Sequence, residues 1–288
     1  MARQLTSQEL RCVAHQRDHA ASLNSAAQVA ERIVNSELRV LGVAIHAVSA
    51  RAKTAESLRE KLRGKAYPHP DQDVSDLVGV RVIAYYPTDV DAIAQQLMRN
   101  LDIDKSRSID KRPLDASDKF GYRSVHLVAR LRTDRAKLAE NAALAGMWFE
   151  IQIRTILEHA WAEIEHDVVY KASVDYPPHE RRRFASIAGA LEILDREFLA
   201  LRHVRTSLTN GYLREYQRGK RMSEAFDSAR MVAFFERLRP QATGWRSKNG
   251  PASALPANSE VCCLHALRAV GLDVPRKLTR VIENPRCQ

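Results

Sequence analysis

Cysteine is scarce: the four present, Cys12, Cys262, Cys263 and Cys287, make no CxxC pair and no spacing that would staple a small fold. A disulfide scaffold is not expected, and Cys262, Cys263 and His265, which lack the second ligand pair of a zinc site, read as a free vicinal cysteine pair beside a histidine. Glycine and proline number only 11 each, which rules out collagen-like and low-complexity chains. No apolar run approaches the roughly 18 residues that span a bilayer, so no membrane partner is expected. The first residues, Met1-Ala-Arg-Gln-Leu-Thr-Ser, lack the basic segment and apolar stretch of a secretory leader, and a cytoplasmic location follows as the expectation.

The 288 residues are 45% hydrophobic and 28% charged, the composition of a globular protein with one core domain and helical additions. Lys and Arg total 45 against 35 Asp and Glu, and the resulting +10 favours polyanionic partners such as nucleotides or RNA.

Apolar residues from Ala26 to Ala50 recur at helical spacing, and the more polar residues before them predict a shorter helix. The basic stretch Arg51 to Lys65 follows; on a helix Ser57, Lys61 and Lys65 share one side. Gly79 to Tyr86 carries apolar residues at both parities and predicts an inner strand. A helix is predicted from Asp89 to Asn100. Ser124 to Leu131 and Met147 to Arg154 alternate, each presenting one apolar and one polar face. On the polar faces lie His126, Glu150, Gln152 and Arg154, whereas solvated strands favour Thr, Lys and Ser, so a ligand-binding face is expected. Thr155 predicts the cap of a helix reaching Lys171, with Ile156, Leu157, Ala160, Trp161, Ile164 and Val168 as its core stripe. Further helices are predicted over Arg181 to Leu208 and Glu215 to Arg239. The expected organisation is N-terminal helices over 1–50, a core over 51–172, basic helices over 173–241, a linker over 242–258 and a helical hairpin over 259–288.

Four ordered motifs then stand out: Arg51-x-Lys53-x-x-x-Ser57-x-x-x-Lys61, Asp76-Leu-Val-Gly79-Val-Arg81, Phe120-Gly-Tyr122-Arg-Ser-Val-His126, and Glu150-Ile-Gln152-Ile-Arg154-Thr with its continuation to Asp167. Together they resemble the synthetase domain of RelA/SpoT-type alarmone synthetases, in the manner of the single-domain small synthetases. The resemblance implies an α+β fold, a mixed sheet of about five strands in a nucleotidyltransferase-like core flanked by long N- and C-terminal helices. It also implies a GTP/GDP pyrophosphokinase that moves pyrophosphate from ATP to the 3′ hydroxyl of GDP or GTP, releasing AMP and making ppGpp or pppGpp.

Such a transfer concentrates negative charge at the reacting phosphorus, so cations, a metal and positioning matter more than covalent chemistry. Asp76 and Glu150 supply two carboxylates for Mg²⁺. By family likeness Glu150 also helps to deprotonate the attacking hydroxyl, and the two roles stay open. Arg51, Lys53, Ser57, Lys61 and Arg63 are expected on the ATP side. On the acceptor side the resemblance places Tyr122, stacked on guanine, with His126, Gln152 and Arg154, and with Lys119 and Arg123 as further cations. Between Asn100 and Gly121 the chain reads Asp110-Lys-Arg-Pro-Leu-Asp-Ala-Ser-Asp-Lys119, without the Arg-x-Lys-Asp signature of long members, which leaves GDP and GTP as alternatives.

His166-Asp167 resembles the His-Asp pair of the family's hydrolase domain, and His159, Glu163 and His166 share a helix side as metal ligands do. That helix belongs to the synthetase pattern and too few residues precede Arg51 for a hydrolase, so structural pairing and a monofunctional synthetase are expected. Toxin members of the family pyrophosphorylate the 3′ end of tRNA, and some relatives use adenine nucleotides. The basic run Arg181, Arg182, Arg183, Arg214, Arg218, Lys220 and Arg221 suits tRNA and suits a solvated surface equally. A third reading, an inactive nucleotide- or RNA-binding module, sits poorly with the presence of Asp76, Glu150, Tyr122 and the cationic stretch. The likeness to small synthetases allows a homo-oligomer built through the terminal helices.

Overall fold

In the computed structural model, which describes residues 3–110, 124–170, 177–220, 224–238, 267 and 271–282, two helices precede the first strand. Helix α1 (Ser7–Asp18) opens on a capping box in which Thr6 accepts from the Glu9 N–H and Glu9 accepts from the Thr6 N–H. Helix α2 (Ala20–Leu41) buries Ala26, Ala30, Ile33, Val34 and Leu38 and stops at Gly42, whose φ of 70° is the left-handed cap that glycine adopts without strain. The single helix expected as far as Ala50 is therefore corrected: strand β1 occupies Ile45–Ala52. Val48, Ala50 and Ala52 pack on the core while Ser49 and Arg51 are exposed, an alternation of two. Leu41, Ala44, Ile45 and Val48 fit a helical spacing as well, which is why periodicity alone misassigned them.

After β1 come α3 (Ala55–Gly64), capped by Thr54, a short turn α4 (Pro70–Asp73), β2 (Val78–Ala84), and α5 (Pro87–Asn100). The short strands β3 (Asp102–Ile103) and β4 (Ile109–Asp110) follow, then β5 (Val125–Arg130), α6 (Thr133–Ala136), β6 (Phe149–Thr155) and α7 (Ile156–Glu165). They form a six-stranded mixed sheet in the order β1-β2-β6-β5-β3, with β4 also on β5. Only the β2–β6 pair is parallel; β1–β2, β5–β6, β3–β5 and β4–β5 are antiparallel. The fold is thus α+β, and β2 is an inner strand as its apolar residues at both parities predict.

One sheet face is the core. Val78, Val80 and Val82, Val125, Leu127 and Ala129, and Phe149, Ile151 and Ile153 are buried together with residues of α2 and α5. Each such large side chain contributes roughly 1.5–3 kcal/mol on full burial. The opposite face is set by the same pairing. Ser49, Arg81, Gln152 and His126 are cross-strand partners in one row, and Arg51, Gly79, Glu150 and Val128 in the next.

Helix α7 is shorter than its sequence pattern suggested. It ends at Glu165, and a π-helical turn runs over His166–Tyr170. Of the predicted stripe only Trp161 is buried, beside Ala162 and Ala188; Ile156 and Leu157 are half-buried, and Ala160, Ile164 (59%) and Val168 (36%) are exposed. The chain divides into two compact units, Met1–Phe198 and Leu199–Gln288. Helix α8 (Pro178–Gln217) supplies Ala188 and Asp195 to the interior of the first. In the second, Tyr216, Phe226, Met231 and Phe234 cluster with Leu278, drawing on α9 (Ser228–Leu238) and α10 (Pro275–Ile282). The helix expected from Glu215 to Arg239 is interrupted, with Gly219 at a φ of 70° ending α8's last turn. The expected linker over 242–258 and, apart from residue 267, the first arm of the hairpin lie outside the described residues. No helix among the described residues is long and apolar enough to cross a membrane.

Candidate active site

The polar face of the sheet carries a cavity of about 290 Å³ lined by β1 and β2 residues, by Thr54 and Ser57 at the start of α3, and by Asp76, Glu150 and Gln152. Its floor is open because Gly79 stands between Arg51 and Glu150 in the cross-strand row. A Cβ placed on Gly79 meets nothing within 4 Å.

Cations and carboxylates meet at the β1–α3 side. The Lys53 ammonium lies 3.1 Å and the Lys61 ammonium 2.7 Å from the same oxygen, Asp76 Oδ2. Burial alone lowers the Lys61 pKa, but the Asp76 carboxylate outweighs it and leaves the ammonium above its ordinary value, firmly charged. Asp76 Oδ1 is buried and has no hydrogen-bond partner among the described residues. Two ammonium groups on one carboxylate leave a net positive edge, and an unpaired buried oxygen beside it is costly unless a donor or metal occupies it.

Glu150 anchors the neighbouring network. Its Oε1 accepts from His126 Nδ1 and, at 3.2 Å, from Gln152 Nε2. A carboxylate can only accept there, so Nδ1 donates, and Nε2 meets the fully buried Ser124 hydroxyl at 2.6 Å. Burial by itself pushes the Glu150 carboxyl up, yet the His126 hydrogen bond and charge, with help from Gln152 and Lys61, hold it down to about 2. Arg154, 3% exposed, donates to Gln152 Oε1 at 2.7 Å. It lies farther along the same face of β6 and does not line the cavity.

Of the residues expected at the site, Arg51, Lys53, Ser57, Asp76, Glu150 and Gln152 line the cavity; Lys61 joins through Asp76 and His126 through Glu150. Arg63 falls on the exposed flank of α3, two positions from Lys61, and does not line the cavity. Lys119, Tyr122 and Arg123 lie outside the described residues. His159, Glu163 and His166 form no metal cluster, and no group of three or more His, Cys, Asp or Glu suited to a metal occurs among the described residues. Glu163 instead meets Arg81 at 2.9 Å. Two participants went unassigned in the sequence. Arg81 lines the cavity, a place that its parity with Gly79 on β2 already implied. Ser124 carried no signal beyond its place two residues before His126.

Residues 50–175 match the family model described as the region found in RelA / SpoT proteins. GTP pyrophosphokinase YjbM of Bacillus subtilis is 32% identical over 160 residues, which cover 55% of this chain and 72% of that protein. GTP pyrophosphokinase YwaC of the same organism is 26% identical over 162 residues, 55% of this chain and 74% of that one. Among solved structures, small alarmone synthetase 1 from Bacillus subtilis, bound to its product pppGpp, shares the fold with a TM-score of 0.55 at 24% identity, over 66% of this chain and 97% of that one. With residues of three of its motifs lining one cavity and a relative at this identity spanned over most of its length, the chain belongs to the RelA/SpoT family.

Proposed function

We propose that this chain transfers the β,γ-pyrophosphoryl group of ATP to the 3′ hydroxyl of GDP or GTP, giving ppGpp or pppGpp and AMP. The observation that carries it is the convergence of Lys53 and Lys61 on Asp76 in a cavity that Glu150 also lines. Two relatives named GTP pyrophosphokinase support the same reaction.

Lys53 and Lys61, with Arg51, Ser57 and Arg81 along the cavity, bind the ATP side. An incoming triphosphate replaces Asp76 as the partner of the ammonium groups, and their fixed charge then opposes the charge building up on the transferring group. Asp76 and Glu150 fit Mg²⁺: one has a buried, unpartnered oxygen, and a small hard cation takes one or two carboxylates with phosphate oxygens and water. Bound there, the metal supplies charge neutralisation on the donor phosphates. Glu150, held ionised near 2, is a weak proton acceptor, so its part toward the attacking hydroxyl is to accept its hydrogen bond and orient it. Phosphoryl transfer through a loose transition state needs little more from a base. His126 and Gln152 face the acceptor, Arg154 steadies Gln152, and Tyr122, from its motif, stacks on guanine.

Incubation with radiolabelled ATP and, separately, GDP, GTP, unlabelled ATP or total tRNA tests this. Label in a 3′-pyrophosphorylated guanine nucleotide is expected. Label confined to tRNA or an adenine nucleotide overturns the acceptor, and no labelled product at all indicates a binding module.

A further inference from the structure

The Lys53 peptide is held on both sides. Its N–H donates to Leu77 O at 2.8 Å, next to Asp76, and its carbonyl accepts from the side-chain amide of Gln16 on α1. Gln16 is 3% exposed, far from any of the four motifs in sequence. The helix that follows, α3, is pinned at its other end as well, where Arg3 donates to Leu62 O and pairs with Glu9 at 2.5 Å. Between these anchors, Leu58 and Leu62 pack on Cys12, Val13 and Val74 in a small cluster separate from the main core. The segment bearing Lys53, Ser57 and Lys61 is therefore seated on α1 and not on the sheet alone.

We infer that Gln16 is a positioning residue of the ATP site: its amide fixes the Lys53 carbonyl and so the place where Lys53, and through α3 Lys61, meets the donor phosphates. This rests on the assignment of Lys53 and Lys61 to ATP. A buried amide of this kind has two possible duties, stability and placement. Only placement makes the acceptor indifferent to its loss. Leucine at position 16 keeps the side chain's bulk and leaves the carbonyl without its donor, a change large enough to displace the strand end.

Steady-state kinetics of Gln16→Leu and Val13→Ala, with melting temperatures for both, decide it. Gln16→Leu should raise the KM for ATP about tenfold, with kcat and the KM for GDP within about twofold of the parent. Val13→Ala thins the same apolar cluster without touching the hydrogen bond, and should lower the melting temperature while leaving the KM for ATP alone. An unchanged KM for ATP in Gln16→Leu, an equal rise in Val13→Ala, or a Gln16→Leu chain that does not fold overturns the inference and makes Gln16 structural. Should the parent show no transfer, the proposed function fails separately; calorimetric titration with a non-hydrolysable ATP analogue still reads this claim, with about tenfold weaker binding to Gln16→Leu expected and equal binding contradicting it.

Discussion

Glu150 shows how one carboxyl is tuned by its neighbours. Replacing it with Gln keeps the volume and removes the charge that faces the metal site, and turnover should fall at least roughly 100-fold with the fold intact. Its depressed pKa adds a second readout. A carboxyl that titrates near 2 when folded and near 4.5 when free stabilises the fold above about pH 4.5, and that contribution is lost as pH falls toward 2. Urea denaturation of the parent should thus lose on the order of 2–3 kcal/mol more than Glu150→Gln across that interval. Equal losses would mean that the His126 contact does not hold the charge. Gly79 offers the complementary case: Gly79→Val points two methyl groups into open cavity space between Arg51 and Glu150, so activity should fall about tenfold or more while the melting temperature stays within a few degrees. A collapse in stability with no specific kinetic defect would show the position to be packed after all.

Strand β6 and helix α7 are joined at Thr155, which does two jobs. Its hydroxyl accepts from the Glu158 N–H as the cap and donates to the buried Asp195 of α8 at 2.7 Å. Thr155→Ala removes both and should cost about 2 kcal/mol in chemical denaturation, more than a cap alone. The alternation in β5 and β6 and this cap were readable because a half-buried strand and a helix start leave local signatures. Strand β1 was not, since Leu41 to Val48 satisfies two periods and only Gly42's left-handed turn decides between them. Strands β3 and β4, two residues each, are too short to show any period. The stripe expected along α7 failed for another reason: α8 covers only a narrow side, leaving Ala160 and Ile164, and Val168 beyond the helix end, exposed despite their spacing.

Across the chain, the site was legible where chemistry and parity coincide, as in Glu150 and Gln152 on one face of β6, with cross-strand pairing bringing His126 beside them. Ser124 and Gln16 were hidden because their roles depend on contacts that no local pattern encodes, one of them spanning 37 positions. Lys53→Ala and Lys61→Ala should each raise the KM for ATP more than that for the acceptor; a defect confined to the acceptor would move this basic stretch to the other half of the site. The excess of positive charge on the chain suits any polyphosphate, so the chemistry of transfer, and not affinity, is what identifies the enzyme. The decisive measurement is the fate of ATP labelled at its β-phosphorus in the presence of GDP and Mg²⁺. Intact pyrophosphoryl transfer predicts label on the 3′ oxygen of the guanine nucleotide and AMP formed in equal amount. ADP as the product, with the label still in it, would contradict a synthetase of this kind.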